Sequence, residues 1–211
     1  MSAAPSRPQP EARQAKIADT VPGVHPLIRS RWSPRSFSSR TVSPEDLQTL
    51  FEAARWAASS YNEQPWRFLV ATKSDPAAYQ KILGLLVEFN QKWASTAPVL
   101  VITAAKKTFS NNGAPNRHAM HDTGAALAQL MLQATALGLH AHGMAGFDYE
   151  RARQVLGIPD DYEVGAAVAI GYPDTPEKLP EHLREPEVSP RQRKPLDELV
   201  FGAQWEQPFK P

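Results

Sequence analysis

Four short segments of this sequence gather side chains whose types and spacing suit the binding of a flat, anionic ligand. The first, Arg29-Ser30-Arg31-Trp32-Ser33-Pro34-Arg35-Ser36-Phe37, packs three arginines and three serines into nine residues. Guanidinium forks and hydroxyls are the donors that a phosphate or the carbonyl edge of a ring requires, although a charged helix end has the same composition. The second is Ser59-Ser60-Tyr61-Asn62-Glu63-Gln64-Pro65-Trp66, preceded by Ala57-Ala58. Small residues let a planar ring approach the backbone, while Asn and Gln amides pair with its polar edge. The third, His142-Gly143-Met144-Ala145-Gly146-Phe147-Asp148, sets glycine-bearing backbone beside a helix start, where N–H groups can point at a ring nitrogen or an anion. The fourth is Arg191-Gln192-Arg193, two like charges that would ordinarily be solvated if they stood alone.

Other chemistries find less support. The chain has no cysteine, which removes disulfides, thiolate metal sites, iron–sulfur clusters and a cysteine nucleophile. Neither a G-x-G-x-x-G nor a G-x-x-x-x-G-K-[ST] pattern occurs, and H-E-x-x-H is absent. His118 with His121 and His140 with His142 are spaced closely enough to suggest a metal, but only Asp122 accompanies them, so no metal site is expected. The net charge of +1, from 23 basic and 22 acidic residues, gives no support to nucleic acid or an anionic membrane as partner. The N-terminal stretch lacks an apolar core, and the longest apolar-rich run, Ala97 to Ala105, is too short to span a bilayer. A soluble, cytoplasmic protein is the expectation.

The elements that must position these segments are legible in the patterning. Residues 1–24, rich in Ala, Pro and charge, read as a mobile arm. Ser43-Pro44-Glu45-Asp46 opens a helix with Leu47, Leu50, Phe51, Ala54, Ala57 and Ala58 at helical spacing. Arg67 to Thr72 is a strand. Asp75-Pro76 opens a second helix whose apolar face is Tyr79, Ile82, Leu83, Leu86, Phe89 and Trp93. Pro98 to Thr103 is a buried strand, and residues 106–116 form a polar loop. Ala119 to Leu137, closed by Gly138, is a long helix apolar on nearly every face, so it must be buried on all sides, and a subunit interface would cover the extra face. Asp148 caps a short helix through Leu156 that Gly157 ends. Val164 to Ile170 is another buried strand, followed by a Pro-rich loop to Pro190 and a tail bearing Phe201, Trp205 and Phe209. With too few βαβ units for a doubly wound sheet, the class is α+β.

In this order and at this spacing, the four segments resemble the FMN-dependent nitroreductase family. Arg31, Ser33, Arg35 and Phe37 match its Arg-x-Ser-x-Arg/Lys-x-Phe pattern, and Ser59, Asn62, Gln64, Pro65 and Trp66 its Ser-x-x-Asn-x-Gln-Pro-Trp pattern. Asp122, Gly124, Ala126, Gln129, Leu130, Gly138 and Leu139 match its long helix; the Gly-Met-x-Gly-Phe-Asp turn and the late Arg-x-Arg complete the set. The resemblance implies a central, mostly antiparallel sheet flanked by helices, with the long helix buried at a homodimer interface. It implies one FMN-binding domain over residues 25–200 and a tail, 201–211, packing on the partner subunit. FMN would be held non-covalently, with Arg31, Ser33, Arg191 and Arg193 at its phosphate and ribityl chain and Trp32 reshaping that end. Arg35 would reach the pyrimidine edge; Ser59, Ser60 and Asn62, with Gln64, would come from the partner. Asn90 would meet the ring edge, and the backbone of Met144, Ala145 and Gly146 would lie beside flavin N5. No side chain is implied as a catalytic acid or nucleophile. The activity implied is ping-pong hydride transfer from NAD(P)H to a nitroaromatic, quinone or similar small acceptor. Alternatives are a non-catalytic flavin-binding module, or a relative acting by ene reduction, dehalogenation or flavin breakdown.

Overall fold

The alternation of side chains along one central strand decides the layering. The computed structural model describes residues 15–209. Strands β1 (Trp66–Thr72), β2 (Val99–Lys106), β3 (His140–Met144) and β4 (Tyr162–Gly171) form one sheet in the order β1-β2-β4-β3, with every pair antiparallel. Around it lie α1 (Pro26–Ser30), α2 (Pro44–Arg55), α3 (Pro76–Leu83), α4 (Glu88–Ala94), α5 (Ala119–Ala136), α6 (Tyr149–Leu156) and α7 (Glu181–Val188). Val99 and Val101 of β2 face a cluster containing Leu50 and Ala54 of α2 and Ala126, Leu130 and Ala134 of α5. Leu100, Ile102 and Ala104 face the opposite cluster, with Tyr79, Ile82, Trp93, Phe147, Ala152 and Leu183. A strand covered on both faces has no polar side to show, hence its unbroken apolar run. The fold is α+β, with helices on both sides of a wholly antiparallel sheet.

Helix starts follow the capping chemistry of the sequence. Ser43 Oγ accepts from Asp46 N at 3.0 Å, Asp75 Oδ1 from Ala78 N at 3.0 Å, and Asp148 Oδ1 from Arg151 N at 2.9 Å. Gly157 ends α6 in the left-handed conformation that its missing Cβ permits, at φ +64°.

Several elements depart from expectation. The helix expected from Asp75 to Trp93 is broken at Gly84. Backbone from beyond β3 intervenes: Asp148 N donates to Leu85 O and Val87 N donates to Gly146 O. These long-range bonds take up Leu85 O and Val87 N, which a continuous helix would have bonded internally, and Phe89 turns out to be exposed. His140 to Met144, where the patterning predicts no strand, is an edge strand paired with Ala167–Gly171. The Pro-rich stretch contains α7, which buries Leu183 and Glu187, four residues apart on one face. Within one chain α5 is covered on one side only. Ala119, Thr123, Ala126, Leu130 and Ala134 are buried, but Met120, Gly124, Ala128 and Gln129 are exposed. Of the expected arm, residues 1–14 lie outside the described residues, whereas Lys16 is buried against the body. At the other end Phe201 bridges to Pro208, and Trp205 is 81% exposed. Among the described residues no helix is long and apolar enough to cross a membrane.

Candidate functional site

The arginine-rich segment leaves α1 and runs past the end of β4, where Phe37 bridges to Pro173 and Ser38 N donates to Tyr172 O. It is held from below by Glu187, whose Oε1 accepts from Arg35 N at 2.8 Å and Ser36 N at 3.0 Å. Arg31 Nη1 donates to Ser33 Oγ at 3.2 Å. Arg191 Nη1 donates to Arg29 O at 2.8 Å and Lys16 O at 3.1 Å, which brings the late arginine pair to the early one. Burial lowers the proton affinity of Arg31, and Arg193 lowers it further; for Arg191 burial is again first, then Arg31 and Arg193. Three guanidiniums therefore repel one another at short range. Lys16 and Arg35 act on the same neighbourhood, and its buried carboxylate is Glu187. Burial pushes the Glu187 carboxyl up despite the Ser36 and Arg35 N–H groups and the Arg35 and Lys16 charges, and its Oε2 has no hydrogen-bond partner among the described residues. Five cations around one acid are out of balance, and an anion would restore it. Trp32 is buried edge-on against His140 with Lys16 over its ring, so it buttresses this cluster.

A chain of contacts leads from this cluster to the turn after β3. His142 Nδ1 lies 2.8 Å from Pro34 O and must donate to it, because a carbonyl only accepts. Burial holds the imidazole down to about 4, with Arg35 and Arg31 further opposing its charge. It is therefore neutral at pH 7. Its ring packs on Trp93 at 4.6 Å between centroids, Trp93 Nε1 donates to Asn90 Oδ1, and Asn90 Nδ2 donates to Gly146 O at 3.0 Å. The amide of Asn90 is thus engaged with Trp93 and the Gly146 peptide. A Cβ on Gly146 would sit 2.7 Å from Asn90 Nδ2 and 3.0 Å from Val87 Cγ2, so this close approach requires glycine. Ala145 O accepts from Phe147 N and Tyr149 Oη. In a trans peptide the Gly146 N–H then points the opposite way. The Met144 side chain is buried in the core, which leaves only its backbone for a ligand.

The Ser59–Gln64 loop is a separate construction. Tyr61, Asn62 and Gln64 all have left-handed backbone, at φ +52°, +55° and +52°. Such residues persist where surrounding bonds over-determine them. Ser59 Oγ accepts from Gln64 N, Gln64 Nε2 donates to Asn62 O, and the buried Asp122 of α5 accepts from Ser60 N at 2.9 Å through Oδ2. Glu63 accepts from Ser110 N, and Tyr61 meets Phe109 edge-on. His118 and His121 stand together at the start of α5, with His121 Nδ1 on Asp122 Oδ1, while His140 lies against Trp32. Among the described residues no group of three or more His, Asp or Glu is arranged to hold a metal.

The register places the two constructions at opposite corners of the sheet. The loop precedes β1 at Trp66, which pairs with Ala105 of β2; Ala105 in turn pairs with Glu163 near the start of β4. The arginine segment lies beside Tyr172 and Pro173, just past the other end of β4. Nine residues of strand and two strand spacings separate them, roughly 25 Å or more at about 3.3 Å per residue and 4.8 Å per strand. Among the described residues no hydrogen bond or ion pair joins the two sets.

Known proteins share this fold. The sequence pattern of the nitroreductase family matches residues 28–172, well over half of the chain. The chain belongs to the nitroreductase family. A solved oxidoreductase containing FMN is 41% identical and superposes with a TM-score of 0.84, over 89% of this chain and 95% of that one. The NADH dehydrogenase of Thermus thermophilus is 30% identical over 202 residues, covering 81% of this chain and 91% of its own. The major NAD(P)H-flavin oxidoreductase of Aliivibrio fischeri is 35% identical over 96 residues, 44% of this chain and 43% of its own. This nitroreductase-family member is accordingly an oxidoreductase. Sequence reasoning placed His142 in the third segment without a role for its ring, and it missed Lys16, Trp93 and Glu187 as parts of the candidate site. Glu187 sits in a Pro-rich stretch with no periodic signal, and the importance of the other three comes only from what they touch. Asp122 was visible in the helix pattern, but its grip on Ser60 was not.

Proposed function

We propose that this nitroreductase-family chain binds FMN and works as an NAD(P)H-dependent oxidoreductase on nitroaromatics, quinones or similar flat acceptors, with each site built from two copies. The observation that carries the reading is the excess of cations over acids at Lys16, Arg31, Arg35, Arg191 and Arg193, set one sheet-diagonal away from the amide-bearing loop. A phosphate monoester satisfies the first, and the rim of a flavin ring satisfies the second. Bound FMN would supply the redox centre, a ring whose N5 takes hydride from NAD(P)H and delivers it to the acceptor.

The chain's own residues then have these tasks. Arg31, Ser33, Arg191 and Arg193 hold the phosphate and ribityl chain, with Trp32 beneath them. Arg35, steadied through its N–H by Glu187, brings positive charge to the pyrimidine edge, where negative charge arrives with the electrons. Asn90 holds the Gly146 carbonyl, and the bonds from Phe147 N and Tyr149 Oη to Ala145 O fix the peptide whose Gly146 N–H would face the ring nitrogen. Ser59, Ser60, Asn62 and Gln64 of a second copy close the other side of the ring, since their own chain holds them too far from its arginines. The exposed outer side of α5, with Met120 and Ala128, is the surface we assign to the homodimer, and the exposed aromatic tail around Trp205 packs on the partner. Donor and acceptor would occupy the same ring face in turn, which gives ping-pong kinetics.

The test is the visible spectrum of the purified protein before and after anaerobic addition of NADH or NADPH. A yellow protein bleached by nicotinamide is expected. A yellow protein bleached by neither donor would reduce the reading to a flavin-binding module. A colourless protein unable to take up FMN would overturn it.

A further inference from the structure

The N-terminal segment whose composition suggests a mobile arm contains one thoroughly fastened residue. Lys16 is only 6% exposed; its Nζ donates to Ser189 O at 2.6 Å and Pro186 O at 2.9 Å, at the end of α7, and lies 5.3 Å from the Trp32 ring centre. Its carbonyl accepts from Arg191 Nη1, the same guanidinium nitrogen that donates to Arg29 O. Two residues on, Ala18 N donates to Arg29 O at 2.9 Å, which pins the segment to the end of α1. A lysine buried here is disfavoured by desolvation and by the Arg35 and Arg191 charges, with only Glu187 opposing them. Such a placement is costly, and the bonds to Ser189 O and Pro186 O offset it. What it secures is Arg191. A guanidinium held by two carbonyls gives up its rotamer freedom on folding, whereas an unrestrained one gives it up on binding and weakens the complex.

We propose that residues 15–18 form a strap belonging to the anion site, in which Lys16 is a positioning residue that locks Arg191 into the geometry receiving the cofactor's phosphate. This rests on the reading of the arginine cluster as the phosphate end of an FMN site. The strap precedes residues 28–172, the part of the chain that carries the family pattern.

The experiment titrates flavin-free protein with FMN and with riboflavin, the same ring without the phosphate, following flavin fluorescence. Wild type should prefer FMN strongly. Lys16→Met should lose about tenfold of that preference, the scale of one charge-assisted hydrogen bond, with riboflavin affinity unchanged. In an Arg191→Ala background the same substitution should shift the preference less than about twofold, because the two act as one unit. Ala18→Pro keeps the lysine charge but removes the N–H that pins the strap, and it should lower the preference in the same direction; it decides the question if Lys16→Met fails to fold. An unchanged preference in Ala18→Pro and in folded Lys16→Met overturns the strap, as does an equal loss with and without Arg191. A wild-type protein that binds both flavins equally overturns the phosphate reading itself.

Discussion

Arg35 has a backbone N–H fixed by Glu187 and a guanidinium that makes no ion pair among the described residues. A hydrogen bond to a charged group contributes about 1.5–3 kcal/mol, so Arg35→Ala should weaken FMN binding by roughly ten- to a hundredfold and slow reduction by NAD(P)H. Flavin titration and anaerobic stopped-flow absorbance measure the two effects, and no change in either would remove Arg35 from the site. His142 makes a prediction about stability. Its ordinary value is 6.5 in the unfolded chain and about 4 in the folded one. Between these values the unfolded chain binds the extra proton, so stability is complete above pH 6.5 and falls as the pH drops towards 4. The loss approaches about 3 kcal/mol, at 1.36 kcal/mol per unit. His142→Asn, whose amide can still donate to Pro34 O, should flatten that acid limb of Tm against pH. A wild-type limb that the variant reproduced would assign the acid sensitivity to other groups.

The turn after β3 is the element where packing and chemistry meet. It supplies Gly146 O to two donors, breaks the helix expected across residues 75–93, and orients the peptide assigned to the flavin ring. Gly146→Ala forces a Cβ against Asn90 and Val87, an overpacking that costs about 1–3 kcal/mol. It should lower Tm by several degrees and displace the start of α4, together with a shift in the spectrum of bound flavin. A variant with wild-type Tm and spectrum would show that the turn tolerates the side chain. At this scale the strongly capped helices were readable in advance, because Ser43, Asp75 and Asp148 act within four residues of themselves. The edge strand β3 and the break at Gly84 were not, because both are made by hydrogen bonds to chain segments dozens of residues away.

For the molecule as a whole, the proposed function joins the arginine cluster of one copy to the Ser59–Gln64 loop of another, because the two stand at opposite corners of the sheet in one chain. This predicts complementation. Arg35→Ala and Asn62→Ala homodimers should each be impaired, but mixing and refolding them together should produce heterodimers with one wild-type site apiece. About one quarter of all sites would then recover, as expected for random pairing across an isologous interface. Activity that stayed at the average of the two parents would mean that each chain completes its own site.

By itself the sequence determined the family, the α+β class, the capped helices and most of the arginine cluster. These signals are local: residue types at short spacing, apolar periodicity and helix caps. The tertiary structure decided which of those residues meet in one chain and which stand apart. It turned part of the supposed arm into a fastened strap, and it recruited Glu187, His142 and Trp93. The physical reason is that burial and long-range hydrogen bonds depend on what arrives from distant sequence. A lysine, a histidine or a glutamate carries no mark of its future neighbours until the sheet has paired and the helices have closed over it.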